Sequence, residues 1–280
     1  MRAQPKTITS RHNPIVARYR AAARGDVDDL LLDGAHLVGD ALDAGVALHH
    51  AVIRAGAAAQ PDLRLLASRL ARARVDVLTA AAPVMDALSP VRSASAIVAL
   101  APRPAVRAGA MYAGGAALVV IAAGVQDPGN VGAIVRVAEA GGATGVVAAG
   151  GSADPFGWKA LRGSMASALR VPVAVGADAD AAVTDARRHG CQIVATTARE
   201  GREPFDVDLA RPTAVLIGNE GSGLPAALVA AADHRVTIPM KPPVESLNAA
   251  VTAALIIYEA RRQRESHRMS PMRREDRTGI

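Results

Sequence analysis

Short apolar runs alternate with longer segments of mixed polarity along most of the chain. In the second half these runs contain almost no polar residue, which is typical of strands that are buried on both faces. Such strands belong to parallel sheets that helices cover on both sides. The pattern therefore predicts an α/β fold with a parallel sheet. Its expected strands are Leu118 to Ala122, Val146 to Ala149, Val171 to Val175, Gln192 to Ala195, Ala214 to Ile217 and Val236 to Ile238.

The first hundred residues show a shorter version of the same alternation. Helix-like stretches at 35–44 and 62–74 lie among four apolar runs, which are Leu30 to Leu32, Ala51 to Ile53, Val75 to Leu78 and Ile97 to Leu100. The segment around 105–116 is rich in Pro, Gly and Ala, as linkers are. We therefore predict a small α/β domain over 1–104, a linker over 105–116, a second domain over 117–264 and a basic, disordered tail over 265–280.

The last periodic segment predicts a long helix that runs from about Ser246 to Arg264. Ser246 is the expected N-cap, because serine is a preferred capping residue. The helix is expected to carry an apolar stripe through Val251, Leu255 and Tyr258, the kind of stripe by which surface helices pack.

Charge is concentrated at the two ends of the chain. The 280 residues carry a net charge of +6, and the sequence pI is near 10.2. Residues 1–24 contribute +6 and residues 261–280 contribute +4, so the body between them carries −4. Basic ends bind nucleic-acid phosphates, but they also occur as solubilising ends of ordinary enzymes. Aromatic residues make up 2% of the chain, so stacking platforms for single-stranded bases are scarce.

Composition excludes several classes of protein. Half of the residues are apolar and 21% are charged, as in globular proteins, and no apolar run approaches the roughly 18 to 20 residues of a membrane span. The basic first residues lead into no apolar stretch, so we expect a cytoplasmic protein. Cys191, the one cysteine, excludes an intramolecular disulfide framework and a cysteine-based zinc site. The seven histidines show no metal-ligand spacing with carboxylates, so no metal is expected.

Three loops that follow predicted strands have unusual sequences. Ligands of open parallel sheets bind beyond the carboxyl ends of the strands, so these loops are candidate sites. They read GVQDPGNVGAIVR, GNEGSGLP and PMKPPVESLNAAVTAAL. Taken singly, each is more typical of ordinary structure, namely a helix capped by Asn130, a glycine-rich turn and a second capped helix. The G-x-G-x-x-G and G-x-x-x-x-G-K-[ST] phosphate loops are absent, which argues against an ordinary dinucleotide- or ATP-binding enzyme.

Together the three loops resemble the SpoU (TrmH-like) branch of the SPOUT RNA methyltransferases. The chain has N-x-G-x-x-x-R from Asn130 to Arg136, I-G-N-E-G-x-G-L over 217–224, I-P-M over 238–240 and S-L-N over 246–248. Three motifs at this spacing are very specific, and the resemblance is strong over about 118 to 263.

The front of the chain resembles the RNA-binding domain, similar to ribosomal protein L30e, that precedes many such enzymes. The segments ITSRHNPIVARYR and LLLDGAHLVGDAL carry this resemblance. Asp33 stands where the glutamate of an L-x-E-G pattern is common, which puts the local contacts in doubt and leaves the assignment intact.

The resemblance implies a fold, a reaction and an assembly. The fold is an α/β parallel sheet with a C-terminal trefoil knot, in which the 238–263 segment threads an earlier loop. The reaction is transfer of a methyl group from S-adenosylmethionine to a ribose 2′-hydroxyl of RNA, without a metal. Family members are homodimers, so we expect a C2 interface built by the knotted domain.

The resemblance also implies which residues form the site. The expected catalytic residues are Arg136, Asn130, Glu220, Ser246 and Asn248. The expected cofactor-binding residues are Gly218, Ile238 and Leu247, with Asn219, Met240 and Thr196 as neighbours. The expected RNA contacts in the front domain are Arg11, Asn13 and Arg18.

The role of Arg136 needs a physical interpretation, because a guanidinium is effectively always protonated and cannot act as a base. We expect Arg136 to bind the target phosphate and to stabilise the developing alkoxide, while the proton leaves through that phosphate or a water. The alternative is Glu220 as the base, which requires burial to raise the pKa of its carboxyl.

The RNA target has more than one interpretation. The front domain and the Pro-Arg-Pro at 102–104 are similar to ribosomal-RNA enzymes, so 23S ribosomal RNA is expected. The alternatives are a transfer-RNA 2′-O-methyltransferase and a non-catalytic RNA-binding or ribosome-assembly factor of the same fold. Because the catalytic set is intact, the non-catalytic alternative is disfavoured.

Overall fold

The computed structural model describes residues 6–107 and 109–269. The chain divides into two compact units. The first contains the residues up to Ala105 together with Phe156–Arg170, and the second contains Val106–Pro155 and the residues from Val171 onward. Most of the predicted tail, 270–280, lies outside the described residues, and 265–269 continue the last helix.

The first unit is a five-stranded mixed sheet with helices packed on it. Its elements are β1 (Thr7–Ile8), α1 (Pro14–Arg24), β2 (Asp29–Asp33), α2 (Ala35–Asp43), β3 (His50–Arg54), α3 (Pro61–Arg72), β4 (Asp76–Ala80), α4 (Ala82–Leu88), β5 (Ile97–Pro102) and α6 (Trp158–Ser164). The strand order is β1-β4-β3-β5-β2, in which β5 runs antiparallel to both of its neighbours. All four predicted strands and both predicted helices are present, while β1, α1 and α4 were not predicted.

The second unit is a six-stranded sheet in which every pair of neighbouring strands is parallel, as predicted. Its elements are β6 (Leu118–Ala123), α5 (Pro128–Gly141), β7 (Gly145–Ala149), β8 (Val173–Val175), α7 (Ala179–Arg188), β9 (Gln192–Thr196), β10 (Thr213–Ile217), α8 (Ala226–Ala231), β11 (His234–Val236) and α9 (Ala249–Met269). The order is β11-β9-β10-β6-β7-β8. The four inner strands β6, β7, β9 and β10 are buried on both faces because helices cover the sheet, which explains their mostly apolar sequences, whereas the edge strands β8 and β11 are partly exposed.

The unit boundaries differ from the predicted domains in two places. The predicted linker contains a 3-10 turn, Ala110–Tyr112, whose Met111 is buried in the core of the second unit against Gly145. That apolar anchor makes the segment part of a packed domain. In addition, Phe156–Arg170 belongs to the first unit, although prediction placed it inside the second domain. The reason is that α6 packs on β2 and buries its Leu161.

The apolar stripe predicted on α9 is about half exposed, although Tyr258 lies at the edge of the contact with α5. Val251, Leu255 and Tyr258 are 46%, 45% and 49% exposed. The opposite face, which includes Ile257, is buried against α5, where Gly141 lets the two helices approach closely. The stripe therefore remains an open apolar surface of this unit.

Neither a membrane-spanning helix nor a metal-binding cluster occurs in the part of the chain that the structure describes. No helix there is long and apolar enough to cross a membrane. No group of three histidine, cysteine, aspartate or glutamate side chains there is arranged to hold a metal ion. The trefoil knot and the likeness of the first unit to L30e stay predictions.

Candidate active site

The loop after β6 begins α5 and presents Asn130. Asp127 is the N-cap, since its Oδ1 accepts the backbone N–H of Asn130 at 2.8 Å. Pro128 occupies the first helical position, where no N–H is needed. The prediction that Asn130 caps the helix is therefore wrong. Asn130 lies in the first turn instead, and its side chain is available for contacts outside the helix.

Asn130 is the centre of a chain of hydrogen bonds between three distant segments. Asn248 Nδ2 donates to Asn130 Oδ1 at 2.9 Å, and Asn130 Nδ2 donates to Glu220 Oε1 at 2.7 Å. We call Glu220, Asn130 and Asn248 the amide relay. Because it joins the loops after β6, β10 and β11, the predicted catalytic residues of three motifs meet at one place.

The start of α9 determines the direction of the amide relay. Asn248 Oδ1 accepts the backbone N–H of Ala250 at 2.9 Å, which is the contact of an N-cap. Since that oxygen is used, the amide nitrogen of Asn248 faces Asn130, and Asn130 in turn presents its own nitrogen to Glu220. The prediction that Ser246 caps this helix is wrong, because α9 begins at Ala249 and Asn248 precedes it.

Asn219 folds the glycine-rich turn that follows β10. Its Oδ1 accepts the backbone N–H groups of Gly221 and Ser222 at 2.9 and 3.0 Å, and its Nδ2 donates to the carbonyl of Gly124 at 2.8 Å. Asn219 and Gly223 also exchange two backbone hydrogen bonds. The turn is therefore rigid, and it is tied to the loop that leads into α5.

Gly218 lies where this turn folds back on itself. A Cβ at Gly218 would come within 2.5 Å of backbone atoms of Gly223 and Leu224. Backbone atoms cannot move aside as a flexible side chain can, so only glycine fits this position.

A cavity of about 340 Å³ opens between the end of β9, the glycine-rich turn and the segment before α9. Glu220 and Ser246 line it, which connects the cavity to the predicted catalytic set. All six residues expected to bind the cofactor also line it, namely Thr196, Gly218, Asn219, Ile238, Met240 and Leu247.

The lining combines apolar side chains with bare backbone. Ile238, Met240 and Leu247 are half-buried apolar side chains, which suit a planar heterocycle. Gly218 contributes only backbone donor and acceptor groups. The hydroxyl of Thr196 donates to the carbonyl of Leu216 at 2.8 Å, so that residue shapes the wall through a side chain already in use.

Two predicted catalytic residues lie outside the relay, namely Ser246, which lines the cavity, and Arg136. Arg136 lies on α5 about 9 Å along the helix axis from Asn130, it is exposed, and no hydrogen bond or ion pair holds its side chain among the described residues. A guanidinium in this state is available to a phosphate. Glu220 is also exposed in the single chain. The burial that its role as a base requires is therefore missing in the single chain.

The three predicted RNA contacts of the first unit all have partners within that unit. Arg11 Nε donates to the carbonyl of Pro83, and Asn13 caps α1. Arg18 donates to both oxygens of Asp29, at 2.5 and 2.9 Å. This hydrogen bonding lowers the pKa of the Asp29 carboxyl below its ordinary value. Their role in RNA binding stays a prediction. If they bind RNA through these side chains, the contacts within the unit must first be broken.

Two features of the site were not predicted from the sequence. Asp127 caps α5, and the D-P-G-N order carries its signal, because a capping residue before a first-turn proline is a typical helix start. Arg199 and Glu245 form an ion pair at 3.1 Å beside the cavity. Nothing in the local sequence could have paired two charged residues that far apart.

Comparison with protein families and relatives gives one consistent result. The model of the SpoU rRNA Methylase family matches residues 117–258. A tRNA/rRNA methyltransferase of Synechocystis, uncharacterized, is 32% identical over 269 residues, which cover 92% of this chain and 94% of that protein. A 23S rRNA uridine 2′-O-methyltransferase of Streptomyces viridochromogenes is 42% identical over 148 residues, and a 23S rRNA guanosine 2′-O-methyltransferase of Bacillus subtilis is 35% identical over 143 residues. These two alignments span about half of this chain and about half of each relative.

Solved structures of similar proteins cover nearly the whole chain. An rRNA methyltransferase of Sinorhizobium meliloti with AdoMet (S-adenosylmethionine) bound superposes with a TM-score of 0.81 at 29% identity, over 93% of this chain and 98% of that one. The SpoU methyltransferase AviRb of Streptomyces viridochromogenes, in complex with AdoMet, gives 0.81 at 29% identity, over 91% and 99%. Proteins that hold this cofactor are therefore similar in fold to most of this chain.

Proposed function

The chain belongs to the SpoU rRNA methylase family of RNA methyltransferases, and on that premise we propose that it methylates a ribose 2′-hydroxyl of 23S ribosomal RNA with S-adenosylmethionine as the methyl donor. The observation that carries the proposal is that the cavity and the amide relay share one residue. Glu220 lines the cavity and also ends the amide relay, which supports a single site that combines the cofactor cavity with Asn130 and Asn248. Relatives that are named as 23S rRNA 2′-O-methyltransferases support the choice of RNA.

We propose that the cavity holds S-adenosylmethionine through Gly218, Ile238 and Leu247, with Thr196, Asn219 and Met240 completing the walls. When bound, this cofactor supplies an activated methyl group, so the remaining task of the protein is to place the hydroxyl and remove its proton. The apolar residues exclude water, and the bare backbone at Gly218 allows close approach. Relatives with AdoMet bound support this assignment.

The side chains around the cavity have separate tasks in this proposal. Arg136 binds the phosphate of the target nucleotide and stabilises negative charge as the 2′-hydroxyl loses its proton. The proton passes to that phosphate or to a water, because Arg136 is always charged and Glu220 is exposed in the single chain. The amide relay is rigid through the cap of α9, and it orients Glu220 towards the ribose. Ser246, which lines the cavity, completes the ribose side of the site.

We propose that the enzyme is a homodimer that uses the exposed stripe of α9. Val251, Leu255 and Tyr258 recur every three or four residues, and each is close to half exposed. An apolar stripe of this kind is typical of a surface that a second helix covers. A second copy of α9 across a two-fold axis would bury the same residues on both chains.

We propose that the first unit binds the RNA outside the reacting nucleotide. Arg11, Asn13 and Arg18 are the contacts expected from the sequence. Exposed cations without a partner among the described residues of this unit, such as Arg92 and Arg162, could bind phosphates without breaking an internal contact. A ribosomal-RNA substrate also implies that the protein acts in the cytoplasm.

The test is methyl transfer to RNA from cells that lack this protein. Tritiated S-adenosylmethionine is incubated with 23S ribosomal RNA or transfer RNA, and the product is mapped as a 2′-O-methyl nucleoside. We expect label in 23S ribosomal RNA, reduced about a hundredfold or more by Arg136→Ala. Arg188→Ala, which removes an exposed arginine on α7, is the matched control and should leave the rate unchanged.

Each other outcome has a defined meaning. Label in transfer RNA alone would contradict the proposed target and keep the reaction. Cofactor binding without transfer to either RNA would indicate a different RNA substrate, such as an assembly intermediate, whereas no cofactor binding would favour the non-catalytic alternative. An Arg136→Ala variant with the wild-type rate would contradict the role of that arginine.

A further inference from the structure

One wall of the cavity is held by few hydrogen bonds among the described residues. The segment 239–247 connects β11 to α9, and its Met240, Ser246 and Leu247 line the cavity. Within this segment, the described backbone makes one hydrogen bond, from Val244 N to the carbonyl of Lys241 at 3.2 Å, and that bond is internal. We call 239–247 the cavity segment. A segment with so few backbone bonds to its surroundings opens at low free-energy cost.

The facing wall is anchored much more firmly. The loop 197–203 follows β9, and its Thr197 N–H donates to the carbonyl of Val236 at 2.9 Å. Gly201 N–H donates to Thr237 Oγ1 at 2.8 Å, and Arg202 exchanges two backbone bonds with the same part of the chain. This loop is therefore a fixed support beside the cavity.

A single ion pair connects the cavity segment to that support. Arg199 Nη2 lies 3.1 Å from Glu245 Oε1, and the two side chains are 74% and 78% exposed. Within the part of the chain that the structure describes, this is the one side-chain hydrogen bond or ion pair between residues 239–247 and the rest of the protein. The neighbours of the pair, Ala198 and Ser246, line the cavity on its two sides.

We propose that the Arg199–Glu245 ion pair is a strap that holds the cavity segment closed over the bound cofactor. The inference rests on the proposed function, because it takes the cavity to be the cofactor site. Arg199 and Glu245 are positioning residues that act on Ser246 and Leu247 through the backbone. When the strap breaks, the cavity segment moves away from the support and the cofactor dissociates faster, while a complex that is saturated with cofactor still reacts.

The size of the effect follows from the exposure of the pair. Exposed ion pairs contribute little, and breaking one changes an equilibrium constant by about twofold to fivefold. Salt screens such pairs, so the contribution of the strap should decline as ionic strength rises. A bidentate or buried contact to the cofactor itself would give a larger effect that is less sensitive to salt.

The test measures the affinity of the full-length protein for S-adenosylmethionine by calorimetry, together with the KM for the cofactor and kcat. The variants are Arg199→Ala, Glu245→Ala, the single reversals Arg199→Glu and Glu245→Arg, and the double reversal that carries both. We expect each single variant to raise Kd and KM about twofold to fivefold, with kcat unchanged at saturating cofactor. The double reversal should restore the wild-type values. Arg24→Ala breaks a similarly exposed single-contact pair with Asp26 in the first unit and should leave Kd unchanged.

A salt titration separates the strap from a direct contact. Raising the salt concentration should weaken wild-type binding towards that of the alanine variants, because salt screens an exposed ion pair. A double reversal that binds as weakly as the singles would overturn the strap, because it would mean that Arg199 or Glu245 touches the cofactor. Single variants with the wild-type Kd would also overturn it. A wild-type protein that binds no cofactor would contradict the proposed function itself, which is a different result from either of these.

Discussion

The direction of the amide relay leads to a sharp prediction for Asn248. Its Oδ1 accepts two backbone N–H groups at the start of α9, from Ala250 at 2.9 Å and Val251 at 3.3 Å, while its Nδ2 donates to Asn130 at 2.9 Å. Asn248→Ala removes both functions. The lost cap costs about 1 kcal/mol of unfolding free energy and the lost side-chain hydrogen bond about 1 kcal/mol more.

Asn248→Asp separates the two functions. The new carboxylate still accepts the N–H groups of α9, and its negative charge is favourable at a helix N-terminus, so stability should stay within about 1 kcal/mol of wild type. It has no donor, however, and it faces Asn130 Oδ1. If Asn130 turns its amide over, its oxygen then faces Glu220 instead. In either orientation of Asn130, two hydrogen-bond acceptors face each other, so one hydrogen bond of the relay is lost.

The assays are urea unfolding and methyl transfer under single-turnover conditions, at one protein concentration. We expect Asn248→Ala to lose stability and rate together. Asn248→Asp should keep its stability and lose rate about tenfold to a hundredfold, because small displacements of an orienting group have effects of this size. Wild-type activity in Asn248→Asp would falsify the reasoning.

A second substitution tests the direction itself. In Asn248→Asp with Glu220→Gln, Asn130 can donate to the new carboxylate and accept from the new amide, so that the whole relay runs in reverse. We expect this double variant to be faster than Asn248→Asp alone, with a coupling of about 1 kcal/mol. A double variant that is no faster would show that the carboxylate of Glu220 is needed for its charge, as the alternative role of a base requires.

Three further predictions concern other parts of the molecule. Gly218→Ala places a Cβ 2.5 Å from the backbone of Gly223, so we expect a loss of about 1 to 3 kcal/mol in urea unfolding and weaker cofactor binding. Asp29→Asn removes the ion pair with Arg18. Because the pKa of Asp29 is lowered in the folded protein, the unfolding free energy of the wild type should exceed that of the variant by at most about 1 kcal/mol when the pH is above the unfolded pKa near 3.9. This difference in stability should vanish as the pH falls through the folded pKa. Leu255→Glu puts a charge into the exposed stripe of α9, and sedimentation should show the dimer shifting to monomer while the wild-type dimer persists.

Local pattern was sufficient where a residue's environment follows from its neighbours in sequence. The strands of the second unit, such as β6 and β10, are apolar on both faces, and this alone predicted a parallel sheet covered by helices. The family motifs predicted the residues that line the cavity, because each motif is a short run at one strand end. Such information lies within a few residues along the chain and needs no knowledge of the fold.

Prediction from the local sequence pattern failed where two interpretations of the same segment were equally well supported. Serine at 246 and asparagine at 248 are both good caps, and only the path of the chain into α9 decides that Asn248 is used. The stripe of α9 and its Ile257 face are both apolar, and packing on α5 decides which of them is buried.

The sequence by itself determined the class of fold, the family and the residues of the three motifs. Only the tertiary structure decided how those residues act together, because the amide relay and the Arg199–Glu245 pair join positions that are far apart in sequence. The same is true of Phe156–Arg170, which packs in the first unit although it lies between two strands of the second. Contacts of this kind depend on which strands are neighbours in the sheet. The order of the strands is set by packing of the whole chain.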